Sequence, residues 1–194
     1  MFKKSKRQAG FTLVEILVVI GILGLTTSAL LYFLVSTVKS SNQTTAIAEV
    51  QQNGQIILNT LSSQILSAVN VTPDPNCTQS QIIYTTTTSC IVVQTQNNGL
   101  LYIKFFPQTG STNNGYIATS SDGSTYTSIS NQDLVSGVNV AQSSGAPIFS
   151  IYQSSGLPAV ITINFLVSQA INAPQRLDFS AEIPFSTTLT LRSY

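Results

Sequence analysis

Seven carboxylates occur in the 194 residues, and one of them, Glu15, stands where a charge is least at home. It lies between Val14 and Ile16, and the following run "ILVVIGILGLTTSALLYFLV", residues 16–35, holds no charge at all. An ionised acid in apolar surroundings costs several kcal/mol unless a cation meets it. A helix N-terminus favours such an acid in part. Cleavage between Gly10 and Phe11 would create a full cation, the α-amino group of Phe11, about 6 Å away along a helix. That amine could pair with Glu15 of its own chain or with Glu15 of a neighbouring chain whose helix is offset. In the second case the acid is a docking device.

The remaining candidates for chemistry are few. The chain has no histidine, so the commonest general base and metal ligand is missing. Cys77 and Cys90 lie close together and, behind an export signal, read as a disulfide rather than a metal site, since no partner ligands lie nearby in sequence. Asp122-Gly123-Ser124 resembles the start of a calcium loop, but that ion wants six to eight oxygens. The next acid along the chain is Asp133, so a hairpin turn is the better reading. Asp178 and Glu182 occupy alternate strand positions and solvate a face. Asn42, Asn70 and Asn76 each begin an Asn-X-Thr pattern, in a chain rich in Asn, Ser and Thr. Nothing calls for a cofactor or an enzymatic reaction.

Charge is scarce: 8% of residues, against about 25% in ordinary soluble domains. It is also unevenly placed. Lys3, Lys4, Lys6 and Arg7 precede Gly10, whereas only Lys39, Lys104, Arg176 and Arg192 follow it, facing all seven acids. The body of the chain is thus acidic, which argues against nucleic acid as a partner.

These residues need elements to position them. Residues 1–10 form a basic leader that the positive-inside rule keeps cytoplasmic. Residues 11–35 suffice to cross a ~30 Å hydrocarbon core as a helix. Residues 36–72 continue as an amphipathic helix, with Ile47, Val50, Gly54, Ile57, Leu58, Leu61, Ile65, Leu66 and Val69 at steps of three and four. "KSSNQTTA" invites a bend near residues 40–45, and Pro73 and Pro75 end the helix. Residues 73–194 read as an extracytoplasmic β-rich head. Hairpins turn at Asn98-Gly99 and Asp122-Gly123. Ile161, Ile163, Phe165 and Val167 share one strand face. Leu177, Phe179, Ala181, Ile183 and Phe185 share another, with Asp178, Ser180 and Glu182 opposite. The fold class is α+β: a long N-terminal helix, apolar then amphipathic, packed on an antiparallel sheet.

"KKSKRQAGFTLVEILVVIGILGL" resembles the N-terminal signature of type IV pilins and type II secretion pseudopilins. The resemblance implies that a prepilin peptidase cuts after Gly10 and methylates the new N-terminus, Phe11. It implies too that Thr12 and Glu15 serve subunit assembly, Glu15 binding the Phe11 amine of an adjacent subunit. The implied partners are that peptidase, other pilin or pseudopilin subunits and an inner-membrane assembly platform. The protein would sit in the inner membrane before assembly and in a pilus or pseudopilus afterwards. Many pilins carry a proline deep in this helix; here position 32 is Tyr, leaving Gly21 and Gly24 as the weak points, or as sites of close helix packing. "LVSGVNVAQSSGAPIFSIY" and "STTLTLRSY" resemble the larger minor pilins and J-type minor pseudopilins. The presence of Glu15 is unlike the outermost tip pseudopilin.

Two rivals make different predictions. A signal-anchored surface binding module that never polymerises keeps its leader. A secreted soluble domain starts near Leu30, after a weak cleavage site at Thr27-Ser28-Ala29.

Overall fold

The computed structural model describes residues 10–144, 146–174 and 181–191. The chain falls into two compact units, Met1–Ser41 and Asn42–Tyr194. A single helix, α1 (Leu13–Leu66), contributes to both.

In the first unit every described residue is solvent-exposed, including the large apolar side chains of residues 13–38. Such a helix is apolar all round and is at home in lipid or among other apolar helices. Several of its hydroxyls are bonded one turn back. Thr27 donates to the Leu23 carbonyl (2.7 Å), Ser28 to Gly24 (2.8 Å) and Thr37 to Phe33 (2.9 Å). A hydroxyl bonded one turn back can enter an apolar medium without an orphaned donor.

The second unit begins within α1, and the helix assignment runs through residues 40–45 without a break, despite the poor helix formers there. Its buried stripe is Ala46, Val50, Gly54, Ile57, Leu61 and Ile65, in steps of three and four. The expected stripe was wider than the observed one: Ile47, Leu66 and Val69 are exposed. The helix also ends earlier than the prolines suggest. Ser67 closes it, its N–H donating to Ser63 O and its hydroxyl to Gln64 O. Residues Ala68–Pro73 then form strand β1. The β-branched Val69, Val71 and Thr72 favour extended backbone, and Val71 pairs directly with Val93. Strand pairing outweighs the helical spacing of Val69.

The strands form two antiparallel sheets, where the sequence suggested one. The first joins β1, β4 (Cys90–Thr95), β5 (Leu100–Phe106), β6 (Tyr116–Ser120) and β7 (Thr127–Ser128), in that order. The second runs β11 (Glu182–Thr190), β10 (Val160–Gln169), β9 (Phe149–Tyr152), β3 (Thr85–Thr88) and β2 (Gln79–Ile82), and β8 (Val138–Ala141) also pairs with β10. Both expected hairpins are present, β4–β5 and β6–β7. Asn98 takes the left-handed conformation that its turn needs, φ 56°.

One core unites these elements. Ile57, Leu61 and Ile65 of α1 cluster with Ile91, Val93, Ile103 and Ile117 of the first sheet and with Phe149, Ile161, Ile163, Phe165 and Val167 of the second. Each such side chain, fully removed from water, contributes roughly 1.5–3 kcal/mol. The alternation along β10 is as the sequence predicts. On β11, Ile183 and Phe185 pack on the core while Glu182 is exposed. Leu177, Asp178, Phe179 and Ser180 lie outside the described residues.

Candidate functional site

The residues singled out by the sequence, Gly10, Phe11, Thr12 and Glu15, meet at the start of α1. Residues 10–12 have no regular secondary structure, and the helix begins at Leu13. The Thr12 carbonyl accepts from the N–H of Glu15 (3.1 Å) and of Ile16 (3.3 Å). The Thr12 hydroxyl oxygen also accepts from the Glu15 N–H, at 3.2 Å. Thr12 is therefore the N-cap, and Glu15 is the third helical residue, where the helix dipole favours a carboxylate. The signal for this was the spacing Thr-x-x-Glu, the capping-box pattern, which the reading of Thr12 as an assembly residue overlooked.

Upstream of the cap, Phe11 is 76% exposed. A Cβ added at Gly10 would meet nothing within 4 Å, and its φ is not among the positive ones. Nothing in the described chain requires a glycine there. The peptide bond between Gly10 and Phe11 thus lies outside the helix, uncovered by the described structure. The basic residues of the leader lie outside the described residues.

Glu15 itself is exposed and forms no ion pair among the described residues. Thr27, Ser28 and Thr37 differ in that their hydroxyls are bonded within the helix.

Elsewhere, polar side chains are spent on the fold. Cys77 and Cys90 form a disulfide with Cα atoms 6.2 Å apart, tying the loop after β1 to β4. Asp74 lies beside them, and its carboxylate accepts from the Asn76 N–H (2.9 Å). The three side chains meet, but the two sulfurs are bonded to each other and are not thiolates. Asp122 Oδ1 accepts from Ser120 Oγ (2.7 Å) and from the N–H groups of Ser124 and Thr125 (both 2.9 Å). The Ser120 hydroxyl first, then these N–H groups, hold its carboxyl far below the usual range. The N–H groups of Ser136 and Val135, followed by the Ser136 hydroxyl, lower Asp133 in the same way. Both acids organise turns.

An apolar helix open on every side, capped at a Thr-x-x-Glu step behind an exposed Gly-Phe junction, with an α+β head, defines a pilin-like architecture. Residues 5–31 match the family described as "Prokaryotic N-terminal methylation motif". The match is to a prepilin-type N-terminal motif and supports the type IV pilin and pseudopilin family. The match ends at residue 31, so the head lies beyond it. Comparisons with curated proteins and with solved structures give no match.

Proposed function

We propose that the chain is a structural subunit, of the minor kind, in a type IV pilus-like or type II secretion pseudopilus filament. A prepilin peptidase removes residues 1–10 and methylates Phe11. The protein is the substrate of that reaction and catalyses none. Before assembly, residues 11–35 anchor it in the inner membrane with the head outside. An assembly platform then moves the helix from lipid into a bundle of similar helices. The exchange replaces one apolar medium with another and costs little hydrophobic energy.

One observation carries this reading: a carboxylate that meets no cation among the described residues, at the start of a helix whose residues 16–35 carry no charge. The Phe11 amine of a neighbour supplies the missing charge and fixes the stagger between helices. Removing one partner of a buried charge pair costs roughly 3–5 kcal/mol, more than a hundredfold in an equilibrium constant.

The expected outcome for Glu15→Val is normal removal of the leader but at least a hundredfold lower incorporation into filaments, read by immunoblotting sheared filaments against total membrane protein. Incorporation equal to the unaltered chain would defeat the pairing. Mass spectrometry of the N-terminal peptide tests processing directly, with a methylated Phe11 expected. A mature protein still carrying residues 1–10 would support a signal-anchored binding module instead.

A further inference from the structure

The head contains a cavity of about 360 Å³ beside the first sheet, between the loop after β5 and the loop before β8. That volume falls in the lower part of the ~300–1,000 Å³ range of ligand clefts. Its wall combines two kinds of surface. The rings of Phe106 and Tyr116 stack 4.8 Å apart at 16° and form an aromatic side. Thr112, Asn113 and Gln132 form a polar side, and no residue lining the cavity carries a charge.

The wall is built in advance. Asn114 is 2% exposed, and all of its polar atoms are engaged. Its Oδ1 accepts from the Ile171 N–H (2.9 Å), and its Nδ2 donates to the carbonyls of Gln132 (3.2 Å) and Asp133 (3.0 Å). Asn139, also buried, accepts from the Gly115 N–H at 2.7 Å and donates to Gln108 Oε1 at 3.0 Å. These two amides pin together segments that are distant in sequence, so a ligand would not have to order them. By contrast, the side-chain amides of Asn113 and Gln132 and the hydroxyl of Tyr116 make no hydrogen bond among the described residues.

We propose that this cavity binds a neutral carbohydrate. A sugar ring presents apolar C–H faces, which suit the negative face of an aromatic ring. Its rim of hydroxyls both donates and accepts, as primary amides do. The other ligand classes fit less well. A nucleic acid strand would meet one described cation beside the wall, Lys104, whose Nζ lies 5.1 Å from the Phe106 ring centroid, too little for a phosphate backbone, and a purely apolar ligand would strand the free amides without water. The cavity is lined only by residues of the second unit.

The test uses the full chain in phospholipid nanodiscs, which keep glycoside detergents out of the cavity. It is applied to an array of neutral hexose and N-acetylhexosamine oligosaccharides, with sialylated and sulfated counterparts alongside. Retention of one or more neutral glycans is expected. For the best of them, Asn113→Ala and Gln132→Ala should each weaken affinity about tenfold, with thermal unfolding unchanged because both residues are exposed. Failure to retain any neutral glycan, preference for the charged ones, or unaltered affinity in both variants would overturn the assignment. None of these outcomes bears on whether Glu15 directs assembly.

Discussion

Gly54 lies on the buried stripe of α1, and adding one methyl group there tests the packing of the helix in the head. In an exposed helix interior, Gly→Ala stabilises by about 1 kcal/mol. Here the new Cβ would overlap Cε2 and Cζ of Phe185 and stand 2.8 Å from Cδ2, against a comfortable carbon–carbon separation of ~3.5–4.0 Å. The ring cannot simply slide away. It stacks on Phe165, with centroids 5.4 Å apart and planes at 13°, and Phe165 is fully buried. Overpacking of this kind costs roughly 1–3 kcal/mol. Against the helical gain, Gly54→Ala should therefore destabilise by up to about 2 kcal/mol. For a domain of this size each kcal/mol moves Tm by roughly 2–4 °C. Thermal unfolding of the full chain, followed by far-UV circular dichroism in micelles, reads the shift. Combining the change with Phe185→Leu, which removes the obstructing ring edge, should give less damage than the two single effects added together. A rise in Tm for Gly54→Ala alone would show that the helix face is not held against Phe185, and the packing argument would fail.

Three further outcomes can be checked in the same preparation. Ile83 is a β-branched residue at φ 53° and is 80% exposed. The left-handed backbone costs an ordinary L-residue roughly 1–2 kcal/mol, so Ile83→Asn should raise Tm by a few degrees, and an unchanged or lower Tm would speak against strain at that turn. Reducing the Cys77–Cys90 bridge frees a short loop and should cost about 3 kcal/mol in the chain-entropy account; an unaltered unfolding curve in reductant would show that the bridge does not constrain the unfolded chain. The Asp122 carboxyl is depressed in the fold, so its contribution is present above the unfolded value near ~3.9 and fades only as pH falls towards the lower folded value. The amide resonances of Ser124 and Thr125 should therefore hold steady from neutral pH down to about pH 4 and move only below it. Movement at pH 5 would contradict the hydrogen bonding seen at that turn.

What was legible in the sequence followed from short-range regularities. Ile161, Ile163, Phe165 and Val167 alternate with polar or half-exposed neighbours, and the period of two alone placed all four in the core. Asn98-Gly99 announced its hairpin through backbone chemistry. The capped helix start was equally legible from Thr-x-x-Glu, had the spacing been weighed. Other features depended on distant partners. Val69 fits a helical stripe by spacing, but β4 recruits residues 68–73 as a strand. The Thr85–Thr88 strand has no apolar period to betray it and exists because β9 lies beside it. Asn114 and Asn139 looked like any of the chain's many amides. Their role rests on contacts to residues up to 57 positions away, which no local pattern encodes.

The two units divide the labour along a physical line. The head largely satisfies itself: its apolar stripe, the buried amides of Asn114 and Asn139 and its turn-forming acids find partners within the chain, Gln64 Oε1 being a buried exception. Among the described residues of the first unit the apolar side chains are exposed, and the charged ones are Glu15 and Lys39. A defect in the head core, such as a methyl group at Gly54, therefore acts on folding and should lower the amount of sound subunit without changing how each one joins. On the proposed reading, a defect at Glu15 acts on joining and should leave the unfolding of the head unchanged. The separation follows from where polar and apolar groups are satisfied. On the same reading, Glu15 is the one charged residue of positions 11–38, so a neighbour's amine would meet no competing charge along that stretch.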